Sequence, residues 1–136
     1  MLHWEKKLML GVPEIDKEHE ELVKKTNVML TALKSGNSTE EILKHMNFLA
    51  DYVIKHFNSE EKLQAKYNYP DIIRHKQIHS EFKVIVTKLL EDITKNGLST
   101  SKKIEISQMT MDWLLKHIGV EDKKLADFIL EKRKDT

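Results

Sequence analysis

The chain has 136 residues, 40% hydrophobic and 33% charged, with 23 basic against 22 acidic side chains. These figures suit one folded domain around one core and exclude a disordered chain, while the near-neutral charge offers neither a nucleic-acid footprint nor a membrane-surface patch. No apolar run approaches the roughly 18 residues of a transmembrane helix, and with no cysteine, disulfides, thiolate zinc sites, iron–sulfur clusters and c-type haem attachment are excluded.

Only four glycines and two prolines occur, and apolar residues recur at helical rather than strand spacing. An N-terminal arm, residues 1–12, carries His3 and Trp4; its charges interrupt any signal-peptide core, so a cytoplasmic location is expected. Pro13 or Asp16 opens a first helix whose inward face reads His19, Leu22, Val23, Thr26, Leu30 and Leu33 before Ser35-Gly36-Asn37. Ser38 with Glu41 forms a capping-box signature for a second helix. Its face reads Ile42, Met46, Leu49, Val53, His56, Glu60 and Leu63. Asn68-Tyr69-Pro70 breaks that pattern. A third helix from Pro70-Asp71 carries Ile72, His75, His79, Phe82, Val86, Leu89 and Ile93 and stops at Asn96-Gly97. A fourth, from Ser99 or Thr100, carries Ile106, Met109, Trp113, Leu114 and His117. A last segment has Leu125, Phe128 and Ile129 on one side. The expected fold is all-α, an antiparallel up-down-up-down four-helix bundle with an N-terminal arm and a short C-terminal helix. The expected division is one domain over 1–136: arm 1–12, bundle 13–119, C-terminal segment 120–136.

Every helix puts a polar residue where a bundle needs a hydrophobe: His19, then His56 and Glu60, then His75 and His79, then His117. Unpaired buried polar groups cost about 1–3 kcal/mol each, too much together for a domain of roughly 5–15 kcal/mol net stability. A bound metal turns that cost into a gain. His75 and His79, four residues apart, can grip one ion, as can His56 and Glu60, whereas Glu61 lies off that face. A lone HxxxH is more often surface or satisfied core, and HKQIH lacks the glutamate of a zinc-protease HExxH; the coincidence of four helices carries the argument. Five histidines and two carboxylates exceed one six-coordinate ion. Two octahedral ions offer twelve positions: five for imidazoles, four for two bridging carboxylates and two for a bridging oxygen. One is left open for a small molecule.

Trp4, Gly11-Val12, Ile15-Asp16 and His19, followed by HFNSEE (56–61), YNYP (67–70), HKQIH (75–79) and WLLKHIGVED (113–122), resemble the hemerythrin family in order and spacing, specifically its single-domain bacteriohemerythrins. The resemblance covers nearly the whole chain. It implies a single hemerythrin-like domain and two iron ions, oxo- or hydroxo-bridged. His75, His79 and His117 would hold one iron and His19 and His56 the other, with Glu60 and Asp122 as bridges. It also implies dioxygen as the ligand, bound at the iron held by two histidines. Regular helical geometry nominates Glu121, at i+4 from His117, whereas the family pattern nominates Asp122 at i+5. Asp122 reaches that face only through a local irregularity such as a π-bulge near Gly119. Trp113, Leu114, Ile118 and Phe57 resemble the family's apolar dioxygen pocket, with plain bundle core as the other reading. His45, eleven residues from His56, belongs at a boundary. Asp16 reads as a cap or a partner of a ligand.

The function that follows is reversible dioxygen binding for storage, transport, delivery or sensing, without enzymatic activity, nucleic acid or membrane as partners. Two alternatives stand beside it. One is a di-iron enzyme, such as an oxygenase or a peroxide or nitric-oxide reductase. It is disfavoured because no Glu-x-x-His pair of the carboxylate-rich oxygen-activating sites occurs. The other is an iron buffer.

Overall fold

The computed structural model describes residues 8–134, so His3, Trp4 and the end of the charged tail lie outside the described residues. Helices α1 (Pro13–Lys34), α2 (Thr39–Lys66), α3 (Ile72–Asn96) and α4 (Thr100–Lys116) form an antiparallel up-down-up-down bundle. A six-residue π-helical segment, His117–Asp122, joins α4 to α5 (Lys123–Lys134). No strand occurs among the described residues.

The helix ends follow from local chemistry. Pro13 opens α1, where its missing N–H costs nothing. Asp16 does not cap the helix but turns back on the arm, accepting hydrogen bonds from the amides of Leu10 (2.7 Å) and Gly11 (3.0 Å). Ser38 Oγ accepts from the Glu41 amide (3.2 Å) and Ser99 Oγ from the Lys102 amide (3.0 Å), so both helix starts are capped by side chains. Gly97, at φ 78°, ends α3 in a conformation few other residues adopt.

Two apolar clusters lie along the bundle. The larger holds Leu22, Leu30, Leu33, Ile42, Met46, Val53, Phe57, Ile93, Ile106, Leu114 and Ile118. The smaller, formed by Val12, Ile15, Tyr69, Leu125, Ala126 and Ile129, closes the end where the arm and α5 meet. The polar positions His19, His56, Glu60, His75, His79, His117 and Asp122 fall where the two clusters meet, with Phe57 and Ile118 of the larger one set among them. They form a polar level between two hydrocarbon ones.

Burial is uneven around the bundle. α1 buries ten residues and α2 eight, but α3 only three and α4 two. On α3 the expected inward residues Ile72, Phe82, Val86 and Leu89 are half-buried. α3 and α4 stand apart around a cleft of about 440 Å³, lined by Ile78, Phe82 and Ile85 on one side and Trp113 and Lys116 on the other. The expected short C-terminal helix is α5, and it continues directly from the π-helical segment. Backbone angles stay right-handed helical at Lys116, His117 and Lys123, so no loop divides α4 from α5.

Candidate metal centre

The seven polar residues converge. His19, His56, Glu60, His75, His79, His117 and Asp122 are all at most 2% exposed. They fall into two overlapping groups whose donor atoms lie within 4.8 Å of one another. One comprises His19, His56, Glu60, His117 and Asp122, and the other Glu60, His75, His79, His117 and Asp122. The two carboxylates occupy the middle. Asp122 Oδ2 lies 2.6 Å from His19 Nε2, 2.8 Å from His117 Nε2 and 3.3 Å from His56 Nε2, while Oδ1 lies 3.2 Å from His75 Nε2. Glu60 Oε1 lies 3.1 Å from His117 Nε2 and 3.3 Å from the Nε2 atoms of His56 and His79.

The π-helical segment decides which carboxylate enters. One extra residue in the turn after His117 brings Asp122, not Glu121, onto the imidazole face. Glu121 turns to α3, where Arg74 donates two parallel hydrogen bonds to its oxygens at 2.9 Å each. Gly119 is not there for space, since a Cβ added to it would meet nothing within 4 Å.

Charge at this level is constrained by burial and by neighbours. Burial disfavours a carboxylate at Glu60, and the nearby Asp122 pushes the same way, so its pKa rises well above the ordinary range. Burial works against ionised Asp122 too, but His117 and hydrogen bonds from Glu60, His117 and His19 outweigh it and hold Asp122 low. Burial also opposes a charged His56, yet Glu60, Asp122 and Glu18 together raise it to about 9. His79 goes the other way, down to about 2, through burial and then electrostatic repulsion from the neighbouring His117 and His75 rings.

Hydrogen bonding tests whether a metal fits. Glu60 Oε2, Asp122 Oδ1, the Nε2 atoms of His75 and His79, and the Nδ1 atoms of His19, His79 and His117 are buried with no hydrogen-bond partner. Bare nitrogens and carboxylate oxygens in this number are untenable in a dry interior. As ligands to cations the two carboxylate oxygens and the Nε2 atoms of His75 and His79 are satisfied, and imidazole with carboxylate suits iron, zinc, copper or nickel. The donor set fits a metal.

Two further residues act on the histidines and were not singled out from the sequence. Glu18 accepts a hydrogen bond from His56 Nδ1 (2.8 Å) and another from Ser59 Oγ (2.8 Å). Gln64, fully buried, places its amide nitrogen Nε2 2.9 Å from His75 Nδ1. Gln64 sits four residues beyond Glu60, so an i+4 step along the ligand stripe could have found it; Leu63 masked it by fitting the apolar pattern. Glu18 gives no such signal.

The apolar candidates surround the polar level. Phe57 stacks on His79 (3.8 Å between ring centroids, 6° between planes) and Trp113 on His117 (4.6 Å, 12°). Trp113 also stacks on Phe82 at 3.8 Å. Leu114 and Ile118 are buried, while Trp113 is half-buried beside the α3–α4 cleft. A small apolar cavity of about 40 Å³ touches Leu22, Val53, Trp113 and Leu114, each one turn from a candidate ligand. His45 is half-buried and Glu61 joins neither donor group.

Comparison with known proteins agrees with this architecture. The family model for the hemerythrin HHE cation binding domain matches residues 10–129. A hemerythrin-like protein of Naegleria gruberi is 33% identical over 122 residues, covering 90% of this chain and 88% of the relative. A bacteriohemerythrin of Methylococcus capsulatus is 29% identical over 108 residues, covering 79% and 80% of the two chains. A wild-type hemerythrin crystal structure superposes with a TM-score of 0.82 at 25% identity, covering 93% of this chain and 96% of its own.

Proposed function

The chain belongs to the hemerythrin family, and from that membership we propose that it binds dioxygen reversibly at a non-haem di-iron centre, for storage, delivery or sensing. His75, His79 and His117 hold one iron in this reading, and His19 and His56 the other, with Glu60 and Asp122 shared. The observation that carries it is the pair of overlapping buried donor groups with those carboxylates in common. Two ferrous ions, when bound, supply the two electrons that dioxygen takes up and returns.

The protein's own part is to orient the ligands and keep the site dry. Glu18 accepts the Nδ1 proton of His56, which leaves Nε2 free to ligate. Gln64 presents its amide nitrogen to His75 Nδ1 while its oxygen is buried without a partner; exchanging the two ends of that amide lets the oxygen accept the Nδ1 proton in the same way. By donor count, the half with two histidines would be the one able to take an added ligand. Phe57, Trp113, Leu114 and Ile118 pack around the polar level and keep water and protons out of it, and the apolar cavity beside Trp113 and Leu114 has room for one small molecule, since a water molecule's share of liquid is about 30 Å³.

The test is anaerobic loading with iron(II), metal analysis, exposure to air and then removal of oxygen, followed by visible absorption. Two irons per chain and a colour that comes and goes with oxygen are expected. One ion per chain, or uptake of iron with no colour, would overturn the reading, the latter in favour of an iron buffer. Irreversible bleaching with turnover would favour a di-iron enzyme.

A further inference from the structure

In a regular helix the carboxylate one turn after His117 is Glu121, and in this chain it is Glu121, not Asp122, that leaves the ligand face. Its destination is built. Arg74, one residue before His75 on α3, grips both Glu121 oxygens at 2.9 Å, and the same guanidinium is tied to Asp71 at 3.0 Å. The Glu121 side chain is only 8% exposed. Two adjacent carboxylates therefore compete for one position, and a planar cation matching carboxylate geometry holds one of them aside.

We propose that Arg74 is a positioning residue that selects the metal ligand: by clamping Glu121 it stabilises the π-helical turn and commits Asp122 to the metal centre. This rests on the metal-centre reading above. Without the clamp, the segment relaxes toward regular α-helical winding and Glu121 moves to the place Asp122 occupies.

The test uses the full chain loaded with iron(II), read by bound iron and by its release to an iron(II) chelator, with circular dichroism as the check on folding. Arg74→Ala should release iron about ten-fold faster, the lower end of the usual effect of losing a residue that orients a ligand. Arg74→Lys, which keeps the charge but not the two-pronged grip, should fall between. Exchanging the charges, Arg74→Glu with Glu121→Arg, should bring release back toward the wild-type rate. The decisive arm is Asp122→Ala, which loses bound iron. Adding Arg74→Ala should recover part of it, because Glu121 is freed to ligate, and adding Glu121→Gln should abolish the recovery. Unchanged release in Arg74→Ala, or no recovery in the double variant, overturns the proposal. A wild-type chain that takes up a single ion would overturn the di-iron reading instead, and the release rate of that ion from Arg74→Ala would still decide the role of Arg74.

Discussion

The far half of the bundle, around Leu30, Leu33, Ile42, Met46, Ile93 and Ile106, is filled with hydrocarbon. A few turns along, α1, α2, α3 and the π-helical segment that continues α4 present five imidazoles and two carboxylates to one another at equal burial. The first region needs nothing beyond exclusion from water, at roughly 25 cal/mol per Å² of apolar surface. The second has the same packing with bare ring nitrogens in it, and its stability waits on an ion. One fold thus holds a half that organises itself and a level that must be completed from outside.

Stripping the metal should produce the largest effect. A chain with free metal about 1,000-fold above its dissociation constant gains roughly 4 kcal/mol over the metal-free one. At this length that corresponds to roughly 10–15 °C in melting temperature by calorimetry. Helix content should persist in the stripped chain, and equal melting temperatures would erase the distinction between the two regions. Ile42→Ala, fully buried in the dry half, should cost about 3 kcal/mol by urea titration while bound iron is unchanged; loss of iron as well would show the regions to be one unit. Glu18→Gln keeps an acceptor for His56 but removes its charge. It should weaken metal binding by about ten-fold in chelator competition, with little change in melting of the stripped chain. The smallest change is kinetic. Trp113→Ala opens the seam between the cleft and His117 and should speed autoxidation of the oxygenated form several-fold, on the order of 1 kcal/mol in barrier.

Where sequence reasoning succeeded, it did so through misfits. His56, Glu60, His75, His79 and His117 interrupt apolar registers that are otherwise continuous, so both the helices and the polar level were legible from spacing. The competing carboxylates were not legible that way. A π turn shifts the period by one residue, and regular winding points to Glu121; only the family resemblance pointed to Asp122. Glu18 escaped notice because its bond to His56 on another helix depends on tertiary packing. The cleft between α3 and α4 was also invisible, since Phe82, which lines it, has an ordinary inward pattern and its half-exposure depends on how the two helices pack.

The six-residue turn at His117–Asp122 also sets the phase of everything that follows it. Each residue advances a helix by about 100°, so deleting any one of the six would swing α5 by a quarter-turn or more. Leu125, Ala126 and Ile129, now sealed against Val12, Ile15 and Tyr69, would face sideways, and the lid over the imidazoles would come off. Tolerance to insertions and deletions in this stretch is therefore expected to be far lower than its exposed residues Gly119 and Val120 suggest.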